Sequence, residues 1–403
     1  MRRIFIWVLF ICMIASAVGY ILYRYNRMRM ENQKYNVPTN VNPIEIIDVN
    51  ELEARASMVI PRGGFDYIAG GAESEKTLQR NISAFDDIDI VPRVLRGVDK
   101  PDLKTSVLGI DISLPVIIAP AAAHGLAHIS AEAGTARAAA AVDTIMAISN
   151  YASSPLRDIA AAGGGAPQWF QLYLSKDDAF NRQIVRLAES LGMRAIVLTV
   201  DAPIGGNRFR DAKNDFKFPL ALPNVANKSG DTKGQGIGAI FAAAQNRFAS
   251  DTVRYVKSFT RLPVIVKGIQ HPDDADAAIA AGADAIWVSN HGGRQLDGAP
   301  ASIEVLPEIA ARVNKRVPII FDSGIRNGTH IFKAIAAGAD VVAIGRPVIY
   351  ALSIGGWKGV VSLFDYLKQD LSRVMTLAGA QTVEDIKNIE LRPKCILVRC
   401  TEL

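Results

Sequence analysis

The nonapeptide SNHGGRQLD, residues 289–297, sets an imidazole and a guanidinium three positions apart around two glycines, directly after the apolar run AIWV. A histidine near neutral pKa can take or give a proton, an arginine is a fixed planar cation, and glycines let backbone come close to another group. Comparable punctuation ends seven other apolar runs: Ala119-Pro120-Ala121-Ala122, Ser149-Asn150-Tyr151, Gln171 with Tyr173, Thr199 with Asp201, Lys267-Gly268, Asp322-Ser323-Gly324 and Gly345-Arg346. Each alone has a bland explanation, because Ser, Asn, Asp and Gly turn a chain cheaply. Together they offer cations, a histidine and an aspartate at the ends of different runs. DSGIRNG and AIGRP add glycines and an arginine where a helix can begin, the backbone arrangement that holds phosphate.

Such groups work together only if the fold brings the run ends to one place. The eight runs end near residues 120, 150, 173, 201, 268, 291, 323 and 346, about 23 to 32 apart except for one gap of 67. That is the period of a βα unit. The string AAGAD recurs at 280–284 and 336–340, where glycine stops a helix before a strand. Near-continuous apolar strands alternating with helices imply a parallel sheet, and eight units imply a closed (β/α)8 TIM barrel; an open doubly wound sheet is the alternative. In such barrels the site lies at the C-terminal strand ends, where these residues stand. An α-helical segment is expected from Ile44 to about Val107, and the barrel domain as a whole over 44–403.

The net charge of +5 is carried by residues 1–34, so the remaining chain is neutral and no nucleic-acid-binding face is expected. Residues 4–23 form an uncharged apolar run, long enough to span about 30 Å of hydrocarbon. Residues 1–25 therefore read as a transmembrane anchor, followed by a polar linker at 26–43; the competing reading is a signal segment cleaved near Ala17 and export to the periplasm. Two basic residues precede the run and four come after it, which favours a membrane-anchored protein with a cytoplasmic catalytic domain. Cys12, Cys395 and Cys400 make no disulfide framework.

The segments GGFDYIAGGA, IIAPAAAHGLAH, QLY, LTVD, VIVKGI, SNHGGRQLD, FDSGIRNG and AIGRP together resemble the flavin-dependent 2-hydroxy-acid oxidase and dehydrogenase family, over about Asp48 to Asn388. APAAAHGLAH, GIQHPDDAD and GGWKG look closest to its L-lactate oxidase branch. The resemblance implies FMN as cofactor, a small 2-hydroxy acid as substrate, oxygen or quinone as electron acceptor, and a homotetramer. It implies His291 as general base with Asp201 as its carboxylate, Arg208 and Arg294 as the substrate-carboxylate clamp, and Tyr67 and Tyr173 as phenols bonding the substrate. For the flavin it implies Ala121 and Ala122 against the ring, with Ser149, Gln171, Thr199 and Lys267 beside it. Asp322 would lie near the ribityl chain, Ser289 and Ser323 would also bind the cofactor, and Gly324, Arg326, Gly345 and Arg346 would cradle the phosphate. The glycines of SNHGGRQLD would give backbone room near the flavin.

The gap 202–261 is long enough to be a functional loop, and the resemblance makes it an active-site lid. Phe218 stands there where the lactate oxidase pattern leads one to expect tyrosine. HGLAH at 124–128 has the spacing of a metal helix but lacks the adjacent glutamate and a third ligand, so no metal is expected. GGGAP at 163–167 precedes a strand rather than following one and is not a nucleotide loop. A flavin-binding scaffold without turnover is the alternative of a different class. The residues do not separate oxygen from quinone as acceptor.

Overall fold

Short, mostly apolar runs, buried on both faces, make eight parallel strands: β1 Val116–Ile118, β2 Met146–Ser149, β3 Gln168–Leu172, β4 Ala195–Thr199, β5 Val264–Ile269, β6 Ala285–Val288, β7 Ile319–Phe321 and β8 Val341–Ile344. They pair in sequence order and β8 closes on β1, completing the barrel. Each strand is followed by a helix: α1 Ala131–Ala141, α2 Leu156–Ala162, α3 Asp178–Ser190, α4 Ser250–Lys257, α5 Pro272–Ala280, α6 Ser302–Val313, α7 Gly328–Ala336 and α8 Arg346–Ala378. The computed structural model describes residues 35–225 and 232–394. The apolar run at 4–23 and the three cysteines lie outside them.

The repeated AAGAD string performs one task twice. Gly282 and Gly338 take φ values of +100° and +115°, which end α5 and α7. The aspartate two positions later reaches the preceding strand, where Asp284 Oδ2 accepts from Val264 N at 2.7 Å and Asp340 Oδ2 from Ile319 N at 2.8 Å. Local sequence thereby fixes the register of β5 with β6 and of β7 with β8.

Inside the barrel two indoles, Trp169 and Trp287, cross edge to face at 6.4 Å among Ala119, Ala147, Ala195, Ala285 and Ala343. Small residues facing large ones fill the interior. The segment expected to be helical up to Val107 is so only in part. Helices Glu51–Ser57, Arg62–Ala69 and Lys76–Ser83 are followed by strand Ile88–Ile90, which pairs with Leu391–Pro393, and by a hairpin of Thr105–Val107 with Ile110–Ile112. Here β-branched residues alternate with polar ones, a period of two that packing on the barrel interior favours over helix. Val107, Ile110 and Ile112 join the interior cluster.

Residues 38–42, expected within the linker, are hydrogen-bonded to the barrel: Ile129 N donates to Pro38 O, His128 Nε2 meets Asn40 O, and Asn42 N donates to Gly355 O, all at 3.0–3.1 Å. Among the described residues α8 alone has the length and hydropathy to cross a membrane, but it packs on α1 and α7 with 72% of its apolar window buried, and it is broken at Gly356 with φ +60°.

Gly324, after β7, has φ +91°, and a Cβ there would lie 1.8 Å from Asn81 O; Gly298 has φ +90° with nothing within 4 Å. The pair separates backbone strain from steric exclusion. Gly298→Ala should cost about 1–2 kcal/mol for its left-handed backbone, and Gly324→Ala at least about 3 kcal/mol more. Urea denaturation measures both, and equal costs would show that the loop relaxes freely.

Candidate active site

Beyond β6 the chain turns sharply, with His291, Gly292 and Gly293 at φ +59°, +65° and +71°. Left-handed backbone at a histidine is uncommon and is sustained here by its surroundings. Its N–H donates to Ser289 Oγ at 3.0 Å and its Nδ1 meets Asp201 Oδ1 at 2.8 Å. With Nδ1–H given to that carboxylate, Nε2 presents its lone pair, 3.2 Å from Tyr173 OH. Strand ends 90 and 118 residues away in sequence thus meet at one imidazole.

Gly292 lines the cavity, and both glycines also admit close neighbours. A Cβ on Gly293 would strike Leu78 backbone at 2.6 Å, and one on Gly292 would come within 2.7 Å of Arg346 Nη1. Gly293 admits the helix Lys76–Ser83, which docks through a reciprocal amide pair of Asn81 with Asn290 (2.9 and 2.7 Å) and through Asp297, which accepts from Ser74 N and Thr77 N, while Gly292 admits the Arg346 guanidinium.

Two guanidinia flank Tyr67. Arg208 and Arg294 each place Cζ 5.0 Å from its ring centroid, within cation–π range. Arg294 Nη1 donates to Tyr67 O and Gly70 O at 2.7 and 2.8 Å. Arg208 Nε lies 3.2 Å from Asp211 Oδ2, an ion pair without hydrogen-bond alignment, both atoms buried. Phe216 and Phe218 pack on Tyr67 at 5.3 and 5.0 Å, so the lid position lacking a hydroxyl is a buried aromatic contact.

On the far side, Lys267 Nζ donates to Ser289 Oγ (2.8 Å) and pairs with Asp322 Oδ2 (3.4 Å). Asp322 also accepts from Ser289 Oγ, Ser323 Oγ and Trp287 Nε1 at 2.6, 2.8 and 3.0 Å.

These groups surround one cavity. Of the expected residues it brings together Tyr67, Ala121, Ala122, Ser149, Tyr173, Arg208, Lys267, His291, Arg294, Asp322, Ser323, Gly324, Arg326, Gly345 and Arg346. Four stand behind the wall instead. Asp201 backs His291, Ser289 backs Lys267, and Gln171 links Ser149 Oγ (3.2 Å) to Thr199 Oγ1 (3.0 Å) beneath the surface. Tyr151, Phe241 and Gln295 also line the cavity. Tyr151 lies two residues past Ser149 and could have been taken from its strand end; Phe241 sits in the long excursion after β4, where no motif marks it.

A flat ring with a phosphate tail suits this lining. Alanines 119, 121, 122 and 343 form an apolar surface, Ser149 and Lys267 supply polar groups at its edge, and Arg326 lies buried with one hydrogen bond, to Ile325 O, and no carboxylate partner among the described residues. A buried, unpaired guanidinium beside glycines is a place for an anion. Arg346 is less free than expected, since its guanidinium donates to Ile68 O, Gly70 O and Gly292 O. His124 and His128 of HGLAH bond different partners, Thr135 Oγ1 and Asn40 O.

Burial depresses His291 below the usual histidine range, and the nearby Lys267 and Arg294 add to this against the opposing pull of Asp201. Burial alone would raise Asp201, but His291 and Lys267 outweigh it and hold the carboxylate ionised. Burial and Asp201 push the Tyr173 phenol well above its ordinary value. Burial and the facing Arg208 pull Arg294 down to about 10, still protonated at neutral pH. The site is therefore a neutral base on a carboxylate, a protonated phenol and two cations around one space.

The chain is 49% identical to an L-lactate oxidase from Lentilactobacillus hilgardii, over 89% of this chain and 97% of that one. It is 39% identical to human 2-hydroxyacid oxidase 1, over 88% and 98%. A crystal structure from Pediococcus acidilactici, described as a lactate oxidase, superposes with a TM-score of 0.85 at 50% identity, covering 89% of this chain and 98% of that one. A mandelate oxidase structure gives a TM-score of 0.81 at 36% identity, over 87% and 100%. The model of the FMN-dependent dehydrogenase family matches residues 56–393, the whole barrel with most of its helical preface, and this chain belongs to that family.

Proposed function

We propose that the protein oxidises a short L-2-hydroxy acid, L-lactate foremost, to the 2-oxo acid, with oxygen taking the electrons to give hydrogen peroxide. The observation that carries this is the convergence of His291 Nε2, Tyr173 OH and the arginine pair around Tyr67 on one cavity. The L-lactate oxidases among the relatives, 42 to 49% identical, and the aromatic crowding of Tyr151, Tyr173 and Phe241 support a small substrate.

Arg208 and Arg294 hold the substrate carboxylate, a task for which planar forks suit better than ammonium groups. That places the 2-hydroxyl at His291 Nε2, which takes its proton, while Tyr173 OH steadies the oxygen. Asp201 keeps the imidazole in the correct tautomer and stabilises its protonated form. Ala121, Ala122, Ser149, Lys267, Gly324 and Arg326 would hold FMN, with Lys267 supplying positive charge beside the ring. FMN, when bound, would supply the two-electron acceptor for the hydride equivalent leaving the carbinol carbon.

The uncharged run at 4–23 favours a second reading, a membrane-anchored dehydrogenase with its barrel on the cytoplasmic side, feeding a quinone. Mixing the lactate-reduced protein with air or with a soluble quinone separates the two. Slow reaction with air beside fast reaction with quinone would select the dehydrogenase. The homotetramer is part of the same proposal.

His291→Ala should lower anaerobic flavin reduction by L-lactate about a thousandfold or more while FMN stays bound; a loss under tenfold would remove His291 as base. The reaction needs neutral His291, so its rate falls as pH drops through the histidine's depressed pKa. The acid limb of kred/Kd therefore lies below about 6.5, the ordinary histidine value, with a plateau above it. Asp201→Asn removes the charge that raises His291. Its limb should move to lower pH and its plateau fall about a hundredfold, and a limb moving upward would contradict the electrostatics.

A further inference from the structure

Gln295 follows Arg294 in SNHGGRQLD and lines the cavity, yet its amide is engaged with the loop after β4. Nε2 donates to Asp201 O at 3.1 Å and to Ile204 O at 3.0 Å, and Oε1 accepts from Gly206 N at 3.1 Å. A glutamine amide has two N–H donors. Both are used on backbone carbonyls, so neither is left for a ligand in the cavity. The two loops also lie backbone to backbone, since a Cβ on Gly206 would come within 2.1 Å of Arg294 O and 2.9 Å of Gln295 Cα.

What this contact holds in place is Asp201. Its Oδ1 meets His291 Nδ1 at 2.8 Å, while its Oδ2 is buried with no hydrogen-bond partner among the described residues. One hydrogen bond does not aim a carboxylate, so its backbone must. On one side Val200 N donates to Lys267 O at 2.9 Å, and Gly268 passes so close that a Cβ there would lie 2.5 Å from Asp201 Cβ. On the other side Gln295 holds Asp201 O and the chain as far as Gly206. The loop after β6 thus supplies both the base and the amide that sets the base's partner. The arginine clamp has other supports: Arg294 donates to Tyr67 O and Gly70 O, and Arg208 lies over the Tyr67 ring and beside Asp211. Loss of the Gln295 amide therefore disturbs the base and spares the clamp.

We propose that Gln295 is a positioning residue for the oxidation, its amide fixing the backbone at 201–206 so that the Asp201 carboxylate meets the His291 imidazole. The proposal rests on the 2-hydroxy-acid reading and adds the group that sets the geometry of its base. Around His291 stand Asp201, Lys267, Arg294 and the Tyr173 phenol; Asp201 raises the proton affinity of the imidazole and the two cations lower it. A loosened Asp201 leaves a weaker base, whose acid limb lies at lower pH.

The test uses the flavin-loaded wild type, Gln295→Met and Gln295→Glu, each confirmed folded by its flavin content. Gln295→Met keeps the length and makes none of the three bonds; Gln295→Glu keeps an acceptor for Gly206 N but has no proton for either carbonyl. Anaerobic kred and Kd for L-lactate are measured separately across pH. Misplacing a reacting group by about 1 Å can cost roughly a hundredfold. In Gln295→Met, where the carboxylate is still present, kred should fall about tenfold with Kd changed less than about threefold. Its acid limb in kred/Kd should move to lower pH, and kred of Gln295→Glu should fall about as far. Added to Asp201→Asn, Gln295→Met should lower kred less than about threefold further, because changes that act through one contact are not additive. A kred within about threefold of wild type in both variants overturns the proposal, as does a loss confined to Kd, an acid limb moving upward in Gln295→Met, or a full further loss of about tenfold on Asp201→Asn. Loss of flavin from both variants would make the contact one of folding and also overturns it. A wild type whose flavin neither L-lactate nor L-2-hydroxybutanoate reduces instead refutes the 2-hydroxy-acid reading itself, and the proposal with it.

Discussion

The ion pair of Lys267 with Asp322 holds the barrel and the chemistry together. Both residues are buried, 4% and 7% exposed, and their charged atoms lie 3.4 Å apart. Burying two ions costs several kcal/mol each, which attraction offsets only when the remaining donors and acceptors are also satisfied. The carboxylate has them: Ser289 accepts from the ammonium and donates to the carboxylate, Ser323 donates to the same oxygen, and Trp287 donates to the other. The tops of β5, β6 and β7 are joined at one point, and the indole that fills the barrel axis hangs from it. Because Ser289 Oγ also accepts the His291 N–H, the base is positioned by the contact that satisfies the core.

The helical preface is the second support. Arg294 and Arg346 donate to backbone carbonyls between Tyr67 and Gly70, and Arg346 adds Gly292 O. Carbonyls are neutral, so these guanidinia are oriented without being neutralised. A carboxylate in the same places would fix them equally well but cancel the charge an anionic ligand needs. Docking the preface costs the loop after β6 its side chain at 293, and seating the Arg346 guanidinium costs it the one at 292.

The barrel was legible in the sequence because strand and helix alternate at a regular period and because AAGAD repeats a register-setting contact. The rim residues came with it, since parallel closure sends every strand end to one side. What escaped reading was contact between distant segments. Gly293 against Leu78 and Phe241 against Tyr173 leave no local pattern, and Gln171, Thr199 and Ser289 differ from true lining residues only by a layer of depth. The strands at 88–90 and 105–107 fall inside the segment expected to be helical because their alternation spans too few residues to stand out in the sequence.

The remaining electrostatics bear on when the base is strong. Lys267, Arg208, Arg294, Arg326 and Arg346 face Asp201, Asp211 and Asp322, so positive charge exceeds negative in a space largely removed from water. The excess weakens the resting base, since Lys267 and Arg294 both lower His291, and it burdens Arg294, which Arg208 opposes. In the proposed reaction an arriving carboxylate would offset that repulsion with its hydroxyl at Nε2, and binding would then raise the proton affinity of the imidazole where the proton must be taken.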